Sequence, residues 1–192
     1  MKSTLITMLM FALVFTGCKD NQQSSETTES STSITETSSS NKGQAFIEDE
    51  NAEPNALQLA IKSSDHTTLV AAVQAAEVEN ALVNVGPLSV FAPTNAAFDK
   101  LPEGTLDDLL KPENKEKLAQ ILINHVAPGN YPIETLRKNV EKGRTLYMAS
   151  GEYLQVTQEG EDIYVGGTKI VGSIKVSNGW VHVIENIILP KQ

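Results

Sequence analysis

Three observations predict an α+β domain. Apolar residues recur at helical spacing between positions 56 and 125. Short β-type runs broken by Gly, Glu and Asp fill positions 145–189. Helices first and strands after, without alternation, argue against a parallel α/β architecture. The segment from 54 to 192 has the length of one domain, and it would bury about two-thirds of its unfolded surface.

Each element has a local reason. Ala56-Leu57 through Ile61 forms a short amphipathic stretch. Asp65 is placed as the N-cap of a helix carrying Leu69, Val70, Val73 and Ala76 on one face. Pro54 and Gly86-Pro87 mark boundaries. Leu88–Phe91 reads as a strand ended by Pro93, after which Thr94 caps a turn bearing Ala97 and Phe98. Thr105 and Asp108 have the spacing of a capping box. Pro112 opens a helix in which Leu118, Ile121, Leu122 and His125 share a face, and Pro128-Gly129 ends it. The strands follow at Thr145–Met148, Tyr153–Thr157, Ile163–Val165, Lys169–Val176 and Trp180–Leu189. Glu159-Gly160-Glu161-Asp162 supplies one hairpin loop, and Asn178-Gly179 a tight turn.

The first 53 residues are a different material. Lys2 precedes an apolar run from Leu5 to Phe15, broken only by Thr7. Eleven residues are too few to cross a bilayer of ~30 Å at 1.5 Å per residue. The run therefore reads as a signal peptide over 1–17. Phe15-Thr16-Gly17-Cys18 resembles a lipobox, with Phe15 at a position where leucine is commoner. Cys18 is the only cysteine of the 192 residues. Cleavage before it and acylation of its sulfur would tether the chain to a membrane, and two or more acyl chains anchor stably. With that thiol consumed, no internal disulfide is available.

Residues 18–53 are expected to form the lipidated cysteine and a disordered Ser/Thr-rich tether. From Ser24 to Ser40, 13 of 17 residues are Ser or Thr, too polar to offset the entropy of ordering. Positions 19–53 carry eight acids and two lysines. Positions 54–192 carry sixteen acids against twelve bases, so both segments are net negative. An acidic chain with no basic cluster is not a nucleic-acid binder.

Three segments together resemble the fasciclin domain family over roughly residues 54–190. Ser89-Val90-Phe91-Ala92-Pro93-Thr94-Asn95-Ala96-Ala97-Phe98 is similar to its first signature, and Ile121–Val126 to its Tyr-His segment. Asn178-Gly179-Trp180-Val181-His182-Val183-Ile184-Glu185-Asn186-Ile187-Ile188-Leu189-Pro190 is similar to its closing one. The resemblance implies a twisted β-wedge with helices packed along one side. It also implies a role in extracellular adhesion and matrix contact, not catalysis. Two positions depart from the pattern. Asn124 replaces the tyrosine of the Tyr-His pair, and Ser173-Ile174 stands where some animal relatives carry an Asp-Ile pair tied to integrin binding. Without that carboxylate, integrin recognition is not carried over. Asp162-Ile163 is the same dipeptide in another place.

The chemical candidates divide into packing and function. His66, His125 and His182 lie far apart in sequence, with no close ligand pair. His66 is expected to be solvated. His125 is expected on an apolar helix face, near a C-terminus whose dipole favours a charged ring. His182 falls on a strand buried on both faces. Structural hydrogen bonding is the expected role of His125 and His182. Phe91, Pro93, Thr94, Asn95 and Phe98 are read as a strand-to-helix corner in preference to a ligand loop. Asn178 and Gly179 are read first as a turn, and Trp180 as core or as a partner contact. No catalytic residue, cofactor or metal site is assigned.

The reading that results is an envelope protein, lipid-anchored through Cys18 and expected on the outer membrane, whose head binds a glycan, matrix or surface-protein partner. The alternative is a periplasm-facing structural or accessory subunit of an envelope complex. A polymer hydrolase is a distant third.

Overall fold

A computed structural model describes residues 53–83 and 86–190. Cys18, the signal segment and the tether lie outside the described residues. The order is α1 (Ala56–Lys62), α2 (Thr67–Ala76), α3 (Glu79–Val83), β1 (Leu88–Pro93), α4 (Asn95–Asp99), α5 (Thr105–Leu109), α6 (Lys115–Ile123), β2 (Val126–Pro128) and α7 (Ile133–Glu141). Six strands follow, β3 (Leu146–Tyr147), β4 (Tyr153–Leu154), β5 (Val156–Glu159), β6 (Asp162–Val165), β7 (Thr168–Val176) and β8 (Gly179–Ile184). The architecture is α+β, as the sequence predicts.

The main sheet runs β2-β1-β8-β7-β6-β5, with β3 and β4 as a separate hairpin. Its one parallel contact joins β1 to β8, while the other pairs are antiparallel. That contact unites the first and closing motif segments in one register, with Phe91 opposite His182 and Ser89 opposite Trp180. Sandwiching explains the near-continuous apolar run of β1, which is buried from Ser89 to Pro93. Val90, Ala92, Val126, Val176 and Val181 face a helical core that includes Leu57, Leu69, Val73, Leu118 and Leu122. Phe91 and Ile184 face a second core with Leu136, Leu146, Met148, Leu154, Val165 and Ile170. A register shift between Ile170 and Gly172 re-aims β7 as it passes from β6 to β8.

Several local expectations are corrected. Asp65 is not the N-cap of α2. Ser63 Oγ accepts the Asp65 N–H at 3.3 Å in a 3₁₀ turn, and α2 begins at Thr67. That turn tucks His66 inward, so it is buried, not solvated. Thr94 occupies the N-cap of α4, but its side chain makes no capping bond. At α5 the cap is Gly104, whose φ of 78° suits glycine; Asp108 bonds Lys111 instead of closing a box. Pro112 starts a 3₁₀ turn, and α6 proper ends at Ile123, before His125. The last strand stops at Ile184. α7 is an element outside the expected set. Its Leu136 is fully buried in the second core, with Ile133 and Val140 packed beside it.

Candidate functional site

The motif residues are drawn together by the β1–β8 contact, and nearly all of them hold the fold. His125 donates from Nδ1 to the Ile121 carbonyl at 2.8 Å, and its Nε2 accepts the Ile188 N–H at 2.9 Å. An N–H can only donate and a carbonyl can only accept, so the ring is neutral with its proton on Nδ1. His182 has the opposite tautomer. Nε2 donates to the Tyr131 carbonyl at 2.9 Å, and Nδ1 accepts from Ser173 Oγ at 2.7 Å. Burial lowers both histidine pKa values to about 4, against small raising effects from the backbone carbonyls. The expectation of a charged His125 favoured by a helix dipole is thus overturned: desolvation outweighs it. His66 shifts downward too, chiefly by burial and against the Asp65 charge. Its Nδ1 meets Ser63 Oγ at 2.8 Å, while Nε2 turns toward the Ala92 backbone without closing a bond of good geometry.

Ser173–His182 has the contact distance of a nucleophile and its base, a pairing the sequence did not suggest. Its geometry argues otherwise. The imidazole is fully buried, stacked on Phe91 at 5.2 Å and on Trp180 at 6.4 Å. A ring with pKa about 4 is a weak base at neutral pH. Trp180 is half-buried in this stack and is not a free contact surface.

The corner residues are equally committed. Phe91, Pro93 and Phe98 are buried. Asn95 caps α2 from across the chain, Oδ1 accepting the Thr68 N–H at 3.0 Å while Nδ2 donates to the Ser64 carbonyl at 3.0 Å. Asn178 joins three elements. Its Oδ1 accepts the Ala56 N–H, its Nδ2 donates to the Leu82 carbonyl, and its own carbonyl accepts the Leu88 N–H. The turn itself is Ser177-Asn178, with Gly179 already paired to Val176 in the ladder. Asn124, in the place of the family's tyrosine, is buried, its Oδ1 accepting from Ser150 Oγ at 2.7 Å.

Cavities add little. One of ≈ 20 Å³ beside Phe91, His125 and Val126 is apolar and has room for about one water. Open grooves of ≈ 350 Å³ at the β7–β8 turn and ≈ 390 Å³ between α5, α6 and Leu189 gather no convergent set of chemical groups. Among the described residues no three His, Cys, Asp or Glu side chains cluster to hold a metal.

Among the described residues the exposed large apolar side chains are Ile61, Tyr147, Tyr153, Val171, Ile174 and Leu189, and two of them are paired aromatics. Tyr147 and Tyr153 face each other across β3 and β4, 45% and 60% exposed, with ring centroids 5.2 Å apart and planes at 55°. Their buried neighbours Leu146 and Leu154 point the opposite way. This face was invisible in sequence, because only the hairpin pairing brings the two rings together.

These features define an α+β domain whose polar motif residues serve its own core and whose exposed aromatics collect on a strand face. The fasciclin domain family model matches residues 64–190, and the chain belongs to that family. It is 40% identical over 134 residues to protein sll1483 of Synechocystis, covering 70% of this chain and 72% of that one. It is 36% identical over 137 residues to the uncharacterized protein sll1735 of the same organism, covering 71% of this chain and 98% of that one. Similarity extends to cell surface glycolipoprotein MPB83 of Mycobacterium bovis, at 33% identity over 109 residues. That alignment spans 56% of this chain and 46% of the relative.

Proposed function

We propose that this protein is a lipid-anchored binding head of the cell envelope, displayed on a spacer and used for adhesion to a glycan or surface protein. The observation that carries the reading is Cys18, a solitary thiol at the end of an apolar run, ahead of a Ser/Thr-rich stretch and a fasciclin domain. The name of MPB83, a cell surface glycolipoprotein, supports the same arrangement. Acylation of Cys18 would supply the membrane hold, with residues 19–53 lying between it and the domain in sequence. The head acts by binding and not by turnover: its motif histidines are engaged internally, and its exposed residues suit contact.

Labelling growing cells with a palmitate analogue tests the anchor. The parent chain is expected to incorporate label and sediment with membranes. Cys18→Ser is expected to lose at least ten-fold of both, and an unlabelled parent would refute the anchor.

A further inference from the structure

We propose that the outward face of β3 to β6, centred on Tyr147 and Tyr153, binds an uncharged glycan chain. The proposal deepens the binding-head reading above and takes it as a starting point. The face is built by strand alternation. From Tyr153 to Thr157 exposure alternates strictly, so Tyr153, Gln155 and Thr157 look outward while Leu154 and Val156 enter the core. The Gly166 N–H donates to the Gln155 carbonyl, which carries the ladder across the break between β4 and β5. Thr157 is then paired with Tyr164, and Tyr164 with Lys169. Three of the chain's four tyrosines therefore lie on one face, spaced by an amide and a hydroxyl.

A cross-strand tyrosine pair also stabilises a hairpin, by about 0.2–1 kcal/mol. That role does not need rings left half in water, nor a third tyrosine farther along the same face. A pyranose ring has an apolar C–H face and a rim of hydroxyls. A phenol offers the matching combination, a flat apolar body with a polar handle, and few torsions to freeze. Gln155 and Thr157 can both donate and accept to hydroxyls beyond the rings. From Tyr153 to Thr157 the row is roughly 13 Å long at 3.3 Å per residue, enough for a short oligosaccharide segment.

Charge selects among occupants. Among the described residues, the cation that strand pairing sets beside Tyr164 is Lys169, and it is held by Asp162 at 2.7 Å and so is not free to recruit an acidic polymer. The chain as a whole is at −9, which repels polyanions further. An uncharged glycan is the chemistry that fits.

The test uses the full-length chain in detergent, applied to beads bearing α-glucan, β-glucan, mannan or xylan. Heparin and polygalacturonate beads serve as anionic probes, and collagen-coated beads as a protein probe. Retention on at least one neutral polysaccharide is expected. Tyr147→Ala with Tyr153→Ala should reduce it at least ten-fold while lowering the thermal midpoint by no more than a few degrees, and Tyr147→Phe with Tyr153→Phe should keep most of it. Three results would overturn the proposal: no retention on any neutral polysaccharide, retention on heparin or collagen alone, or full retention by the double alanine variant. Palmitate labelling of Cys18 is independent of these beads, so failure of the glycan face and failure of the anchor are told apart.

Discussion

Gly179→Ala is expected to abolish cooperative folding. Gly179 opens β8 beside Leu88 of β1, with φ at +142°, a region that side chains rarely adopt. A Cβ there would stand 2.7 Å from the Leu88 nitrogen and collide with the Leu88 carbonyl oxygen. Both clashing atoms are backbone in the parallel β1–β8 contact, so no side-chain rotation relieves them. Separating the strands would unpack both cores at once, since the two flank this contact. The cost exceeds about 4 kcal/mol, comparable to the margin of an ordinary domain. Gly167→Ala is the control. It also has positive φ, at +82°, but nothing lies within 4 Å of its Cβ, so only about 1–2 kcal/mol of backbone strain is expected. Circular dichroism melts check both. A Gly179→Ala variant melting within a few degrees of the parent would show that the close approach is not needed.

Acid should destabilise the domain well before its carboxylates are titrated. His125 and His182 are held neutral, with folded-state pKa values about 4 against an ordinary 6.5. Between those values the unfolded chain binds more protons than the folded one, so stability rises with pH across the window. The contribution is complete above pH 6.5, is lost as pH falls toward 4, and levels off below. Each histidine is worth about 3 kcal/mol over the full window. The downward shift of His66 acts in the same direction. Structurally, a proton on His125 Nε2 would face the Ile188 N–H, and one on His182 Nδ1 would displace the Ser173 hydroxyl hydrogen. The first releases the C-terminal segment, and the second loosens the junction of β1, β7 and β8. Urea midpoints at pH 7.5, 6.5, 5.5 and 4.5 are expected to fall steeply below 6.5. His125→Gln should start less stable and show a shallower slope. A flat profile would contradict the neutral assignments.

The three motif segments were legible in sequence because each is a local pattern with a local reason. Pro93 after an apolar run, helical spacing in α6, and Asn178-Gly179 after β7 all announce themselves. Their physical roles were less legible. Gly179 reads as a turn residue, yet what requires glycine is a strand 91 positions earlier in the chain. Asn95 reads as part of its own helix start, yet it caps α2. His66 reads as solvated, because nothing in a Ser-Asp-His sequence says that the turn folds the ring inward. α7, between Pro132 and Gly143, carries Ile133, Leu136 and Val140 at the i, i+3, i+7 spacing of an amphipathic helix, a readable pattern outside the expected set of elements. The tyrosine face emerges only with pairing: Ser150-Gly151 marks the turn between the two strands, but the register that sets Tyr147 opposite Tyr153 is not written in it.

Protease shaving of intact cells tests the central claim of a tethered envelope head most directly. Cleavage within residues 19–53 is expected to release a folded fragment of about 15 kDa, as suits a domain of this length. The fragment should melt cooperatively and leave the acylated Cys18 peptide in the membrane. Full protection of the chain, on whole cells and after the outer membrane is permeabilised, would contradict a head displayed on an accessible spacer.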